Sequence, residues 1–256
     1  MERETMKLGK LPAREGAVKL KLSDYLDSAA LPTPPATFGH QSLVPADGWG
    51  MLGNDQYGDC AWAGPAHETM VLNAAAGRTV GFTTDGVLSD YSACTGFNPA
   101  DPSTDQGSDM QKVAAYRQQT GIIDAAGARH KIGAYVAIQP GDLDQLLHGA
   151  YIFGAVGIGI EVYDYFMDQF SKGEPWTLRP GGNIEGGHYV PLIAADPQWF
   201  YVVTWGKVQP VDRRVIQKVN DENAVCLSPD QLNDAGKTPE QFDTAQLQAD
   251  LQALED

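Results

Sequence analysis

Residues 53–70 have the sequence "GNDQYGDCAWAGPAHETM", a polar, glycine-containing turn that leads into a cysteine and a run of small residues. This run predicts a helix that begins at Cys60 and ends near Gly77, the type of residue preferred just after a helix C-terminus. The unpaired amide groups at a helix N-terminus lower the pKa of a cysteine placed there. Cys60 therefore has two interpretations, a reactive thiol or a small residue buried beside the start of a helix.

The composition excludes several classes of function. The chain has 256 residues, of which 43% are hydrophobic, and a net charge of −15, which argues against unaided binding to nucleic acid or to an anionic membrane. No segment approaches the roughly 18–20 apolar residues of a membrane span, and the charged N-terminus lacks the apolar core of a signal peptide. We therefore expect a cytoplasmic protein, with a place in a bacteriophage virion as the alternative.

The three cysteines, Cys60, Cys94 and Cys226, have no CxxC spacing. An odd and sparse set favours a reducing compartment and argues against a disulfide scaffold or a thiolate zinc site. The aspartates of the loop at residues 97–108 do not have the spacing of an EF-hand. The sequence thus predicts no metal and no cofactor.

The chain divides into three parts by composition. Residues 1–45 form a proline-containing arm that drapes over its own domain, binds a partner or stays mobile. Residues 46–228 form the globular domain, in which helices come first and a strand-rich half follows, so the predicted class is α+β. Residues 229–256 form a tail whose amphipathic helix we expect to dock or to bind an assembly partner through Leu247, Leu251 and Leu254.

Within the domain, periodicity and turn residues predict the elements. Helices are expected in 82–96, in 109–121 with Ser108 as its N-cap, and in 141–151. Strands are expected at 134–138, 154–162, 187–196 and 199–208.

A reactive thiol needs a base and a donor for the oxyanion. His67 lies two helical turns beyond Cys60, about 10 Å along the axis, which is too far for a hydrogen bond. His188 follows "PGGNIEGG" and opens an apolar strand, and the glycines leave room for a substrate, so it is the predicted base. Asn54 is the predicted side-chain donor, with Gln56 as the nearer alternative.

The order of these segments resembles the papain-like cysteine peptidases over about residues 46–210. "NDQYGDCAWA" matches the family's layout around its nucleophile, with Asn54 where the family usually has Gln. "DQGSDMQKVAAYRQQTGI", which contains Gly107, is similar to the loop and helix beside the substrate cleft. "GGHYVPLIAAD" matches the strand of the catalytic His, and "YVVTWG" is similar to the strand whose Trp shields it. Trp205 follows His188 by 17 residues, one fewer than is usual in the family.

The resemblance implies a hydrolase of peptide or amide bonds, with Cys60 as nucleophile, His188 as base and no cofactor. One position departs from the family, because Val203 stands where an Asn would orient the base and Thr204 is the nearest hydroxyl. The alternative is therefore a non-catalytic structural or binding protein with this fold, such as a subunit of a phage virion or another assembly. Acyl transfer would use the same Cys and His and is not separated from hydrolysis by the sequence.

Overall fold

A computed structural model of the protein describes residues 6–14, 16, 18, 21–25, 32–232 and 237–238. Its helices are α1 (Leu22–Tyr25), α2 (Cys60–Ala75), α3 (Thr84–Thr95), α4 (Met110–Gln119), α5 (Leu143–Phe153), α6 (Asp164–Ser171) and α7 (Arg213–Val219). None of the helices in these ranges is long and apolar enough to cross a membrane.

The strands form one antiparallel sheet and one small hairpin. In the sheet, β1 (Phe38–Gly39) pairs with β6 (Ile184–Ala195), and the remaining order is β4 (Ala134–Ala137), β9 (Asn220–Leu227), β5 (Val156–Tyr163), β6, β7 (Trp199–Thr204) and β8 (Lys207–Asp212). The hairpin pairs β2 (Ile122–Ile123) with β3 (Arg129–His130).

Helix α2 lies against β6, and nearly all of its residues are buried. The helix is therefore buried around its whole circumference, which explains why its sequence has no exposed polar face. Gly64 is the point of closest approach, because a Cβ at this position would lie 2.3 Å from Cδ1 of Tyr189 on β6. This contact brings Cys60 and the residues around His188 to the same end of the α2–β6 interface.

The structure confirms the four helices predicted within residues 60–151 and corrects one cap. Helix α4 is capped by Asp109, whose carboxylate accepts the N–H groups of Gln111 and Lys112, and Ser108 is not the N-cap. The Ser108 hydroxyl instead accepts the indole N–H of Trp62 at 2.8 Å. An aspartate directly before the helix competes successfully with the serine because its charge also interacts with the helix dipole.

The single strand predicted at 199–208 is wrong, since β7 and β8 are two strands joined by a turn at Trp205 and Gly206. Both turn residues have positive φ angles, 44° for Trp205 and 70° for Gly206. Glycine adopts such an angle without steric cost, so Gly206 suits its position in the turn.

Parts of the predicted N-terminal arm contact the domain. Met6 and Leu22 are buried in the main apolar core, and Phe38 pairs with Ala195 at the edge of the sheet. The predicted C-terminal amphipathic helix lies outside the described residues and stays a prediction.

Candidate active site

The thiol of Cys60 is at the first position of α2, and the residue is only 1% exposed. Its Sγ accepts the backbone N–H of Tyr189, the neighbour of His188, at 3.4 Å. Burial raises the pKa of the Cys60 thiol to about 12, although the Tyr189 N–H lowers it. The lowered pKa expected from the helix N-terminus is therefore wrong for this form of the protein, because loss of water outweighs the helix amides.

His188 is fixed by two contacts from the end of β7. Its Nε2 lies 2.7 Å from the Thr204 hydroxyl oxygen, and its ring stacks on Trp205 with 4.6 Å between ring centroids. The second ring nitrogen, Nδ1, is buried without a hydrogen-bond partner among the described residues. Burial lowers the pKa of His188 to about 3, so the imidazole is neutral near pH 7.

Adjacent residues of a strand point to opposite faces, which separates Val203 from Thr204. Val203 packs in an apolar cluster with Trp49 and Ile193, whereas Thr204 contacts His188. Of these two residues, Thr204 is therefore the one that contacts the His188 ring.

The predicted oxyanion donors lie in the turn before α2. The side-chain amide of Asn54 is buried and donates to the Tyr57 carbonyl at 3.1 Å, whereas Gln56 is exposed. The carboxyl of Asp59, directly before the thiol, is buried, and its two oxygens have no hydrogen-bond partner of normal geometry in the part of the chain that the structure describes. Burial raises the pKa of this carboxyl well above the usual range, although the Asn54 side chain lowers it. The turn therefore places a buried carboxyl directly beside the thiol.

Residues 6–11, here called the covering segment, run across this site. The Lys10 N–H donates to the Gly187 carbonyl at 3.0 Å, the Ser108 N–H to the Gly9 carbonyl at 2.7 Å, and the Leu11 N–H to the Ser108 carbonyl at 2.9 Å. The backbone of Gly9 is also hydrogen-bonded to Cys60. The covering segment thus lies as an extra strand between the loop before α4 and the strand that carries His188.

Two further hydrogen bonds hold the covering segment near its start. The Lys7 N–H donates to the Asn54 carbonyl at 3.0 Å, and the Lys7 carbonyl accepts the Trp205 indole N–H at 3.1 Å. Residues on both sides of the site, including the predicted shield Trp205, therefore bind the same segment.

Glycines allow the close approach of the covering segment. A Cβ at Gly9 would lie 1.8 Å from the Gly58 carbonyl oxygen, and one at Gly107 would lie 2.2 Å from the Gly9 carbonyl oxygen. Gly107, predicted to support the cleft, lines the path of the segment at a φ of 71°. The backbone of the covering segment therefore packs against its neighbours so closely that neither glycine could carry a side chain without a collision.

A buried polar network behind the site was not predicted. The Tyr189 hydroxyl donates to the Glu68 carboxylate on α2, and Arg117 on α4 pairs with the same carboxylate at 2.8 Å and donates to Cys226 Sγ at 3.3 Å. These residues are far apart in the sequence, and the only local signal is that Tyr189 adjoins His188. The network ties α2, α4 and β6 together about two helical turns along α2 from the thiol.

The other titratable candidates have structural partners. The Nε2 of His67 lies 3.0 Å from the Trp49 carbonyl and 3.1 Å from the Gly50 carbonyl, which agrees with a structural role. Asp105 accepts the N–H of Gly58 and the hydroxyl of Tyr91. Among the described residues, no group of three or more His, Cys, Asp or Glu side chains is arranged to hold a metal ion.

No protein-family profile and no curated protein matches the sequence. Solved structures do match. Xylellain, a cysteine protease from Xylella fastidiosa, has a TM-score of 0.63 at 14% identity, over 89% of this chain and 98% of that chain. Procathepsin B S9 from Trypanosoma congolense has a TM-score of 0.61 at 12% identity, over 89% and 88%. A cysteine protease from Carica candamarcensis in complex with E-64 has a TM-score of 0.53 at 11% identity, over 75% and 98%.

The chain therefore has the papain-like fold, with the α+β architecture predicted from the sequence. Its structural neighbours are papain-like cysteine proteases. Because their sequence identity to this chain is so low, the similarity is evidence of a shared fold.

Proposed function

We propose that the protein is a cysteine hydrolase that cleaves a peptide or amide bond with Cys60 and His188. The observation that carries this proposal is the position of the thiol: it begins α2 and contacts the N–H of Tyr189, beside a histidine that Thr204 and Trp205 hold from the other side. A thiol, a neutral imidazole and helix amides are the groups that acyl transfer to sulfur requires.

The reaction follows from these groups. The Nδ1 atom of His188 takes the thiol proton, and Sγ of Cys60 attacks the carbonyl carbon, whose oxygen becomes the oxyanion. The N–H of Cys60 and the amide of Asn54 are the proposed oxyanion donors. His188 then gives the proton to the leaving amine, and a water molecule, deprotonated by His188, hydrolyses the thioester and releases the acid.

The described form is a covered form of this site. Gly9 contacts the thiol, and the raised pKa of Cys60 and the lowered pKa of His188 keep both groups neutral. The covering segment must therefore leave before a substrate binds. Once water and substrate replace it, both pKa values return toward the range in which the proton can move between the two groups.

One observation favours a second function, a non-catalytic binding or structural protein with this fold. Among the described residues, no hydrogen bond joins Cys60 to His188, and the Nδ1 atom of His188 has no partner. The backbone of Gly9 occupies the space in front of the thiol. If the covering segment never leaves, this arrangement is a stable core and not a resting enzyme.

Thiol labelling distinguishes these two functions. The full chain carrying Gly9→Ala is compared with wild type, because a Cβ at this position collides with the Gly58 carbonyl and prevents the covering segment from binding. Each protein is treated with an iodoacetamide probe at pH 7, and the rates at Cys60, Cys94 and Cys226 are read by peptide mass spectrometry. Lys7→Ala, which changes an exposed side chain of the same segment, is the matched control.

For an enzyme we expect fast labelling of Cys60 in Gly9→Ala, at least roughly tenfold faster than the half-buried Cys94, and loss of that excess on adding His188→Ala. Equal, slow labelling of Cys60 with or without His188 would refute the hydrolase and favour the binding protein. Hydrolysis of a fluorogenic peptide library by the same variant then separates hydrolysis from acyl transfer to an added amine.

A further inference from the structure

A lysine of the covering segment is buried in an acidic slot beside the site. The side chain of Lys10 is 0% exposed, and its Nζ lies 2.7 Å from Asp221 Oδ2 and 3.1 Å from Glu222 Oε1. The same ammonium donates to the Leu11 carbonyl at 2.9 Å. Burial of a lysine is costly unless its charge is paired and hydrogen-bonded, and this slot supplies both.

The shape of the slot also fits a long, unbranched cation. Gly159 on β5 forms its wall, because a Cβ there would lie 2.2 Å from Cε of Lys10 and 2.6 Å from Asp221 Oδ1. Any other residue at this position would block the methylene chain. Asp221 Oδ1 is buried with no hydrogen-bond partner among the described residues, so the slot retains an acceptor that Lys10 does not use.

The slot is next to the reacting groups. Lys10 directly follows Gly9, whose backbone contacts Cys60, and its own N–H binds Gly187, the residue before His188. A chain that replaces the covering segment across the thiol would therefore place one of its side chains in this slot.

We infer that Asp221, Glu222 and Gly159 form a specificity pocket that selects peptides carrying Lys or Arg within two residues of the bond that Cys60 attacks. This inference rests on the proposed function and names its substrate class. When the covering segment leaves, its ammonium leaves two carboxylates unpaired, and a basic side chain of the substrate restores the pairing. An apolar side chain of equal length would fill the slot but leave both carboxylates without a cation.

The test measures binding and cleavage separately. Full-length Gly9→Ala, with Cys60→Ser added to stop any reaction, is titrated with fluorescent hexapeptides that differ only by Lys or norleucine at one of the two positions on either side of the central bond. Fluorescence anisotropy gives Kd for each pair. We expect the best lysine peptide to bind roughly tenfold or more tightly than its norleucine partner.

Asp221→Asn combined with Glu222→Gln should abolish this preference, because lysine then gains no ionic pairing over norleucine. Glu161→Gln, an exposed acid on the same strand as Gly159, is the matched control and should retain the preference. If Gly9→Ala does not fold by circular dichroism, Gly107→Ala replaces it, because a Cβ at residue 107 would lie 2.2 Å from the Gly9 carbonyl oxygen and also displaces the covering segment.

Equal binding of lysine and norleucine peptides, or a preference that survives the double variant, overturns the inference. The rate of Cys60 labelling is independent of these peptide affinities. A retained lysine preference with an unreactive Cys60 would leave the pocket in place and refute only the hydrolase.

Discussion

At the scale of single residues, the hydroxyl of Thr204 binds Nε2 of His188 and leaves Nδ1 as the nitrogen for the proposed role of a base. In the tautomer with its proton on Nε2, His188 donates to Thr204 at 2.7 Å and keeps a lone pair on Nδ1. Thr204→Val keeps the shape but leaves a buried N–H unpaired, at a cost of about 1–3 kcal/mol. We therefore expect Cys60 labelling in the Gly9→Ala background to slow by roughly tenfold.

Thr204→Ser is the control for this prediction, because it keeps the hydroxyl and loses a methyl group. It should label at a rate close to that of the parent. Equal rates for the Val and Ser variants would show that Thr204 does not orient the base.

Two histidines outside the site should affect stability with opposite dependence on pH. Burial lowers the pKa of His67 to about 4, so the unfolded chain binds a proton near pH 6.5 and the folded chain does not. Stability therefore falls as the pH decreases from 6.5 to 4, by up to roughly 3 kcal/mol. His67→Gln should remove this slope from the free energy of unfolding measured by urea titration at several pH values.

His130 has the opposite sign, because hydrogen bonding to Asp230 raises its pKa, and Asp124 adds to the effect. Its stabilising contribution is complete below pH 6.5 and is lost as the pH rises through the raised value. His130→Gln should consequently destabilise the protein more at pH 6 than at pH 8.5. A His130→Gln curve parallel to wild type across this range would contradict the assignment.

At the scale of elements, the fit between α2 and β6 depends on one glycine. Replacing a helical glycine with alanine ordinarily stabilises a helix by up to about 1 kcal/mol. At Gly64 the new Cβ would lie 2.3 Å from the ring of Tyr189, so the helix and the strand must separate. Gly64→Ala should therefore destabilise the protein by about 1–3 kcal/mol in urea denaturation.

Gly81→Ala is the matched control, since no atom lies within 4 Å of its added Cβ. It should change stability by less than about 0.5 kcal/mol. A Gly64→Ala protein as stable as the Gly81→Ala protein would show that the interface can relax without cost.

The elements themselves differ in how far the sequence predicts them. Helices α3 and α4 have capping residues and a terminal glycine, which are local signals, and both were predicted. The turn at residues 205–206 has Gly206 as its one local signal, whereas Trp205, with φ of 44°, is held there by its packing on His188 and Phe170. Helix α7 has a capping residue in Asp212 but spans only seven residues, and it was not predicted.

At the scale of the whole molecule, the sequence predicts which residues form the candidate site but not that residues 6–11 cover it. Cys60 and His188 follow from a helix start, a glycine-rich approach and the spacing to Trp205. The cover over them depends on pairing between residue 10 and residues 108 and 187, which no local pattern encodes. Burial raises the pKa of the Cys60 thiol, against the lowered value expected for a helix N-terminus, although Gly9 and Lys10 of the covering segment each lower it.

If backbone pairing and the Lys10 slot alone hold the covering segment in place, the same segment should also bind as a free peptide. A synthetic peptide of residues 6–14, "MKLGKLPAR", should then suppress Cys60 labelling when it is added to the Gly9→Ala protein. The same peptide with alanine in place of Gly9 should have no effect, because its Cβ meets the Gly58 carbonyl at 1.8 Å. Peptides that suppress labelling equally would mean that charge, and not the fit of the backbone, holds the segment over the thiol.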